Sequence, residues 1–328
     1  GNCSNISGVD SAYLIGGTTA ANLSTLSTYT NNGWTNITSD PDAASLNTWF
    51  IFNGTDDFLT SGKTRPMLMM ETASSISNLH QLQLMGASLS GNYTYASDMD
   101  LASITTNAAD VWGGSTGNGF VAIGTQSLGP AFTGSFTGIS HQEPNPLSWL
   151  PPITVYPTIN NLTISSTSNL GTGLFGMIGA GANINHVILN NVVLGSASGT
   201  ADYIGALVGY ATGATISNIT VTNATITGGG SNVGALAGAI SDSTVSNVGA
   251  TGSVTADGTN GISIGGLIGD LVSFNGTASL TNAYSQANVT TTGTGFISGV
   301  GGLIGLADSQ NGYQTVINKT YASGTVSS

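Results

Sequence analysis

The side chains best suited to move protons or hold metals are few in this chain of 328 residues: fifteen carboxylates, three histidines and one cysteine, Cys3. Asp98 and Asp100 are spaced as loop ligands of a calcium ion often are, but no Asp-x-Asp-x-Asn-Gly run accompanies them, so turn capping is the better reading. Cleaving a glycosidic bond needs two converging carboxylates. Residues 159–328 offer only Asp202, Asp242, Asp257, Asp270 and Asp308, none repeating at one place in successive units, and all are expected in loops. His80 has no cysteine or second histidine nearby, His186 falls in a repeated corner position, and His141 stands beside Glu143. No HExxH or Cys-x-x-Cys motif is present and no Gly-x-Ser-x-Gly elbow suggests a serine nucleophile, so the reading is of a non-enzyme without metal or cofactor.

One segment does gather polar and aromatic groups. Between Gly138 and Thr158 lie five prolines together with His141, Glu143, Trp149 and Tyr156. Prolines stiffen a loop, and rigid aromatics with a few polar neighbours suit capture of a glycan or a protein. The alternative is that Trp149 and Leu150 pack down as a lid on the end of the fold.

Composition narrows the partners. Only 18 residues are charged, 15 acids against three bases, for a net charge of −12. Nucleic acid and anionic membranes are therefore disfavoured, because both are held by clustered Lys and Arg. A lone cysteine forbids an internal disulfide framework, and no stretch of 18 apolar residues is present to span a membrane. Forty per cent of the residues are apolar and recur in short β-branched bursts, so the chain folds.

Internal repetition supplies the frame. Gly-x-Leu-x-Gly occurs at 205–209, 234–238, 265–269 and 301–305, preceded by the variant Gly173-Leu174-Phe175-Gly176. Its leucines, Leu174, Leu207, Leu236, Leu267 and Leu303, are 33, 29, 31 and 36 residues apart, a solenoid period. These leucines are candidate core, although periodicity leaves open which face of their segment turns inward. Each block precedes an apolar–x–x–apolar step, as in Ile216-Ser217-Asn218-Ile219, followed by alternation of period two. These are strands, with a corner at the third place of each step. Asn161, His186, Asn218, Asn247, Asn282 and Lys319 should therefore stack along one edge, the asparagines as an amide ladder. Extra residues near Ser273–Thr277 and Ser309–Gln314 should bulge outward.

Segments such as 204–228 and 300–328, with Tyr321-Ala322-Ser323-Gly324-Thr325-Val326 after Gly-Gly-Leu-Ile-Gly, resemble the GLUG motif of large bacterial surface proteins. Asn92 to Leu101 resembles that family's lead-in, and Ala131 to Gly138 the segment after it, with Thr137 where the family carries aspartate. Residues 2–68 resemble the tail that closes such an array. The resemblance implies an all-β fold, a right-handed parallel β-helix (β-solenoid) of GLUG-type repeats of about 29–36 residues with an N-terminal β-rich region. The expected division is 1–75 as the closing tail of a preceding array, 76–158 as lead-in and cap with the 139–157 loop, and 159–328 as solenoid.

It also implies an extracellular, secreted, filamentous-haemagglutinin-like adhesin segment. Its partners would be other copies head to tail, covalent neighbouring repeats, or host and matrix glycans and proteins through the 139–157 loop. A polysaccharide-active β-helix enzyme is the remaining reading.

Overall fold

A computed structural model describes residues 23–53, 63–113, 119–124, 130–147, 149–166, 171–196, 203–229, 232–257, 262–292 and 297–328. Asp202 and the tail-like segment Asn2 to Gly17, with Cys3, lie outside the described residues.

From Phe175 onward the chain winds as a parallel β-solenoid with three walls. One wall stacks Tyr203–Ile204, Asn232–Gly234, Ile262–Gly265 and Ile297–Gly301. The next stacks Phe175–Ile178, Val208–Thr212, Ala237–Ser241, Ile268–Ser273 and Ile304–Ser309. The longest carries Asn183–Asn190, Thr215–Gly228, Thr244–Ala256, Ser279–Thr291 and Val316–Ala322, and continues towards the N-terminus through Ser135–Gly138, Asn92–Tyr95 and Ser75–Ile76.

Register on the long wall is kept from coil to coil around the first corner, and shifts between Val221 and Ala224, where Val221 pairs with Ala250 and Ala224 with Gly252. Phe136, Ile184, Ile216, Val245, Leu280 and Ile317 form one column, and Val187, Ile219, Val248, Ala283 and Thr320 another. In a flat strand, residues three apart would face opposite sides. Here both Ile216 and Ile219 are fully buried, because Asn218 between them takes a left-handed backbone with φ of 56° and turns the chain by a corner. The same left-handed turn is taken at His186, Asn247, Asn282 and Lys319, where φ lies between 52° and 54°, although Ile317 beside Lys319 on the outermost coil is exposed. Asparagine tolerates this region better than most side-chain-bearing residues.

Asn161 is a correction to the expected register. Residues 158–160 pair with 188–190, so Asn161 stands beside Asn191 rather than beneath His186. Its φ of 61° matches those of Asn191 and Asn223, which form a second left-handed corner farther along the same strands. Both corners read apolar–x–Asn–apolar, and the sequence pattern alone does not separate them. The position that precedes His186 is Gly138, since Thr137 pairs with Asn185.

The Gly-x-Leu-x-Gly blocks form the bend between the two shorter walls. Leu174, Leu207, Leu236 and Leu267 are fully buried, which assigns the inward face, and their backbones bond from coil to coil. Leu303, on the outermost coil, is only partly buried. Glycine is required where the walls meet: a Cβ on Gly238 would collide with the backbone of Tyr203 and Ile204. The extra residues of the last two coils do loop outward. Asp242, itself at φ 50°, accepts the backbone N–H of Phe274, Asn275 and Gly276 and fixes one of these loops.

The helices Leu79–Leu84 and Ala102–Thr106 close the N-terminal end of the coil stack, with Leu82, Met85, Leu101, Ile104 and Trp112 joining the solenoid core. Ahead of them, strands come as two-residue pieces. Trp49–Phe50 pairs with Ile37–Thr38 and Met67–Leu68 among short helical turns, around a second core of Phe50, Phe52, Met67 and Met69.

Two substitutions test the register. Ile219→Asp places an unpaired charge between Val187 and Val248 and should destabilise by about 4 kcal/mol or more. Asn218→Ser, which gives up amide bonds and some tolerance of the corner, should cost about 1–2 kcal/mol. Urea unfolding midpoints compare them, and equal losses would contradict the assigned facing of these residues.

Candidate functional site

The asparagine corners build a chain of amides. Asn282 Nδ2 donates to Asn247 Oδ1 at 3.1 Å, Asn247 Nδ2 to Asn218 Oδ1 at 3.1 Å, and Asn218 Nδ2 to Asn185 Oδ1 at 2.8 Å. The last step reaches Asn185 and not His186, whose ring is stacked on Tyr156. A shorter ladder runs at the second corner, where Asn190 donates to Asn160 and accepts from Thr222. Asn161 itself donates to Asp100 Oδ1 at 2.7 Å. Lys319 keeps the corner geometry with a side chain that carries no amide to extend the ladder.

His186 instead supports the insert. Its ring stacks on Tyr156 with centroids 4.2 Å apart and planes 9° from parallel. Tyr156 follows a hairpin in which His141–Glu143 pairs antiparallel with Ile153–Val155, with Gln142 Nε2 donating to Thr154 Oγ1 across it. His141 Nε2 lies 3.2 Å from Glu143 Oε1. At the base, Asp98 Oδ1 accepts the backbone N–H of Thr158 at 2.7 Å. An open hollow of about 440 Å³ is lined by Ser97, Asp98, His141, Glu143, Tyr156 and Thr158, among others.

Three of the four proposed binding residues thus meet at one hollow. The fourth does not: Trp149 is at the hairpin tip, 77% exposed, with Leu147 and Leu150 exposed beside it. The alternative of Trp149 and Leu150 packed down as a lid is overturned. Asn145 sets the tip, accepting the Leu147 N–H and donating to the Pro151 carbonyl. Asp98 joins the hollow from a segment about 40 residues upstream, a proximity created by coil stacking that no local motif displays. Two carboxylates, an imidazole and a phenol around an open hollow can hydrogen-bond hydroxyl groups. Asp100 works elsewhere, accepting from Ala102 N and Asn161 Nδ2, and the Asn161 bond chiefly holds its carboxyl below the usual range.

The expectation that the solenoid acids sit in loops fails for two of them. Asp270 and Asp308 belong to wall strands, Ile268–Ser273 and Ile304–Ser309. Asp308 pairs with Val272, so it lies diagonally from Asp270 on the adjacent coil. Aligning Gly-Asp-Leu-Val-Ser with Gly-Leu-Ala-Asp-Ser reveals the offset. Burial, then the Asp308 charge, pushes the Asp270 carboxyl up to about 6, and Asp270 Oδ1 has no hydrogen-bond partner among the described residues. Asp308 is engaged by Ser309 N and the Gln310 side chain.

A folded-state pKa above the ordinary 3.8 means that ionisation works against the fold, so stability falls as pH rises from about 4 through 6. Asp270→Asn should raise the melting temperature at pH 7–8, the gain shrinking to nothing towards pH 4. A gain independent of pH, or none at neutral pH, would refute the strained carboxyl.

Against known proteins, no curated protein and no solved structure matches the chain. A family profile described as the GLUG motif matches residues 200–227. That stretch holds Gly205 to Gly209, the buried pair Ile216 and Ile219, and both left-handed corners, Asn218 and Asn223. The chain therefore carries a GLUG motif, folded as one coil of a β-solenoid.

Proposed function

We propose that this chain is a structural segment of an extracellular surface fibre or adhesin stalk, one period of a longer head-to-tail filament. The observation that carries the reading is the column register of the long wall, held with the amide ladder from Asn185 to Asn282. Such a stack is stiff along its axis and extends by adding coils of the same register, each lengthening it by about 4.8 Å. The strand Val316–Ala322 presents Val316, Ile317 and Tyr321 in the columns of Ser279, Leu280 and Tyr284, and Tyr321 stacks on Tyr284. A further coil fits this edge, whether from the same polypeptide or from another copy. A surface of Ser, Thr, Asn and Gly with three basic residues suits a secreted location and repels nucleic acid.

The hairpin supports a second reading, an adhesin module that captures a glycan or protein. The specific observation is the exposed Trp149 at the hairpin tip, together with the hollow of Asp98, His141, Glu143 and Tyr156 at the hairpin's other end. A polysaccharide-active enzyme would need the Asp270 and Asp308 carboxylates to converge on a sugar. Turnover of any polysaccharide lost in Asp270→Asn would revive it.

Electron microscopy of the native material should show fibres with a regular axial repeat. Compact, monodisperse particles at high concentration would defeat the filament. For the hairpin, Trp149→Ala should abolish binding to a glycan or matrix-protein array at least about tenfold while leaving the melting temperature unchanged, since the ring buries little. Unaltered binding would remove the tip from the site.

A further inference from the structure

His80 is held between two carboxylates brought from different parts of the chain. Its Nδ1 is 3.1 Å from Glu71 Oε2 and its Nε2 is 2.8 Å from Asp110 Oδ1. An ionised carboxylate only accepts hydrogen bonds, so a neutral imidazole, with one N–H, would turn a lone pair towards one of them. Both contacts are satisfied together only by the imidazolium. The geometry itself therefore specifies a proton.

Glu71 ends the helical turn Met69–Glu71, directly after the last strand of the small N-terminal sheet. His80 is on the capping helix Leu79–Leu84, and Asp110 lies in the turn that leads to Trp112. Around this cluster the N-terminal region meets the solenoid cap. Phe50, Phe52, Met67 and Met69 pack with Leu84, Ala87 and Val121. Next to His80, Gln83 binds Val121 through both amide atoms and takes the Trp112 indole N–H at 2.9 Å. Arg65 grips the Asp110 turn from the other side, donating to the carbonyls of Ala108 and Ala109. Two of only six Lys, Arg and His side chains in the chain converge on this one turn.

We propose that His80, Glu71 and Asp110 form a proton-operated clasp that fastens the 23–71 region to the cap of the solenoid and loosens when His80 loses its proton. The charged groups facing it are Glu71 on its turn, Asp110, and Arg65 acting on Asp110; Trp112, 5.4 Å from the imidazole, is neutral. The helix that carries His80 has no other titratable side chain. Hydrogen bonding to Asp110, then to Glu71, raises His80 from 6.5 to about 9. Burial pushes the Asp110 carboxyl up, but its bonds to His80 and Val111 N outweigh that and hold it below 3.8.

The signs give the window. A raised histidine contributes fully below about 6.5, and its contribution is lost as pH climbs through 9. A depressed carboxyl contributes fully above about 3.8, and its contribution is lost as pH falls from there through its lower folded value. The clasp is closed in mildly acidic to neutral medium and opens on the alkaline side.

Two measurements on the intact chain test it. The His80 imidazole resonance should titrate with a midpoint near 9 and move down by about one unit or more in Glu71→Gln and in Asp110→Asn. A broad-specificity protease, with its rate normalised on an unstructured peptide, should cut between Met67 and Thr72 about tenfold faster at pH 10 than at pH 7. In His80→Gln the fast rate should already hold at pH 7, with Glu71→Gln as the gentler variant if that protein does not fold. Cutting in the Thr215–Gly228 strand serves as the control and should not change. A midpoint near 6.5, or a cleavage rate equal at both pH values, or a pH response that persists in the variants, would each overturn the clasp.

Discussion

The architecture depends on one backbone constraint. Two inward-facing residues three apart can both reach the core only if the residue before the second turns left-handed. Ile216 with Ile219, Val245 with Val248 and Ile184 with Val187 all obey this, with Asn218, Asn247 and His186 at the turn. Because every coil turns at the same place, the columns of apolar residues stay aligned, and the core is continuous from Ile76 to Val289. A coil that lost its corner would rotate its remaining side chains to the wrong face.

Glycine and leucine set the second bend by a different route. There the two shorter walls approach closely, and the Gly-x-Leu-x-Gly block places a buried leucine between glycines that leave room for neighbouring backbone. The corner needs a side chain able to adopt positive φ, whereas the bend needs side chains to be missing. Hence one is asparagine-rich and the other glycine-rich, and the motif repeats as a pair.

The solenoid could be read from the sequence because both devices are local and recur. The place of Asn161 is ambiguous in the sequence for the same reason: apolar–x–Asn–apolar occurs at two corners of one coil, and only the pairing of 158–160 with 188–190 tells them apart. The buried face of Leu207 was undetermined, since Val208 and Ala206 beside it are equally buried and alternation is absent. The candidate site was half visible. Its hairpin residues are contiguous, so His141, Glu143 and Tyr156 were found together, whereas Asp98 arrives through stacking. The exposure of Trp149 is set by Asn145 and the prolines at the tip, whose geometry composition does not reveal. His80 gave no signal, since Glu71 and Asp110 are 9 and 30 residues from it.

The scarcity of charge follows from the same stacking. In a parallel solenoid each residue stands beside its own counterpart in the next coil, about 4.8 Å away. A repeated carboxylate would meet itself at that distance, at a cost of about 0.9 kcal/mol per pair in water and about 3.5 kcal/mol at an effective dielectric near 20. An asparagine in the same place meets a donor with its acceptor and an acceptor with its donor, so repetition turns from repulsion into a ladder. Selection of self-complementary side chains accounts for a chain in which only 5% of residues are charged. The exceptions agree with this. Asp242 is spent on three loop amides that its own coil lacks, while Asp270, with a second carboxylate diagonal to it, has its ionisation pushed towards neutral pH. His80 and Arg65 stand instead where repetition has stopped, at the cap, where Glu71 and Asp110 can meet an opposite charge rather than a copy of themselves.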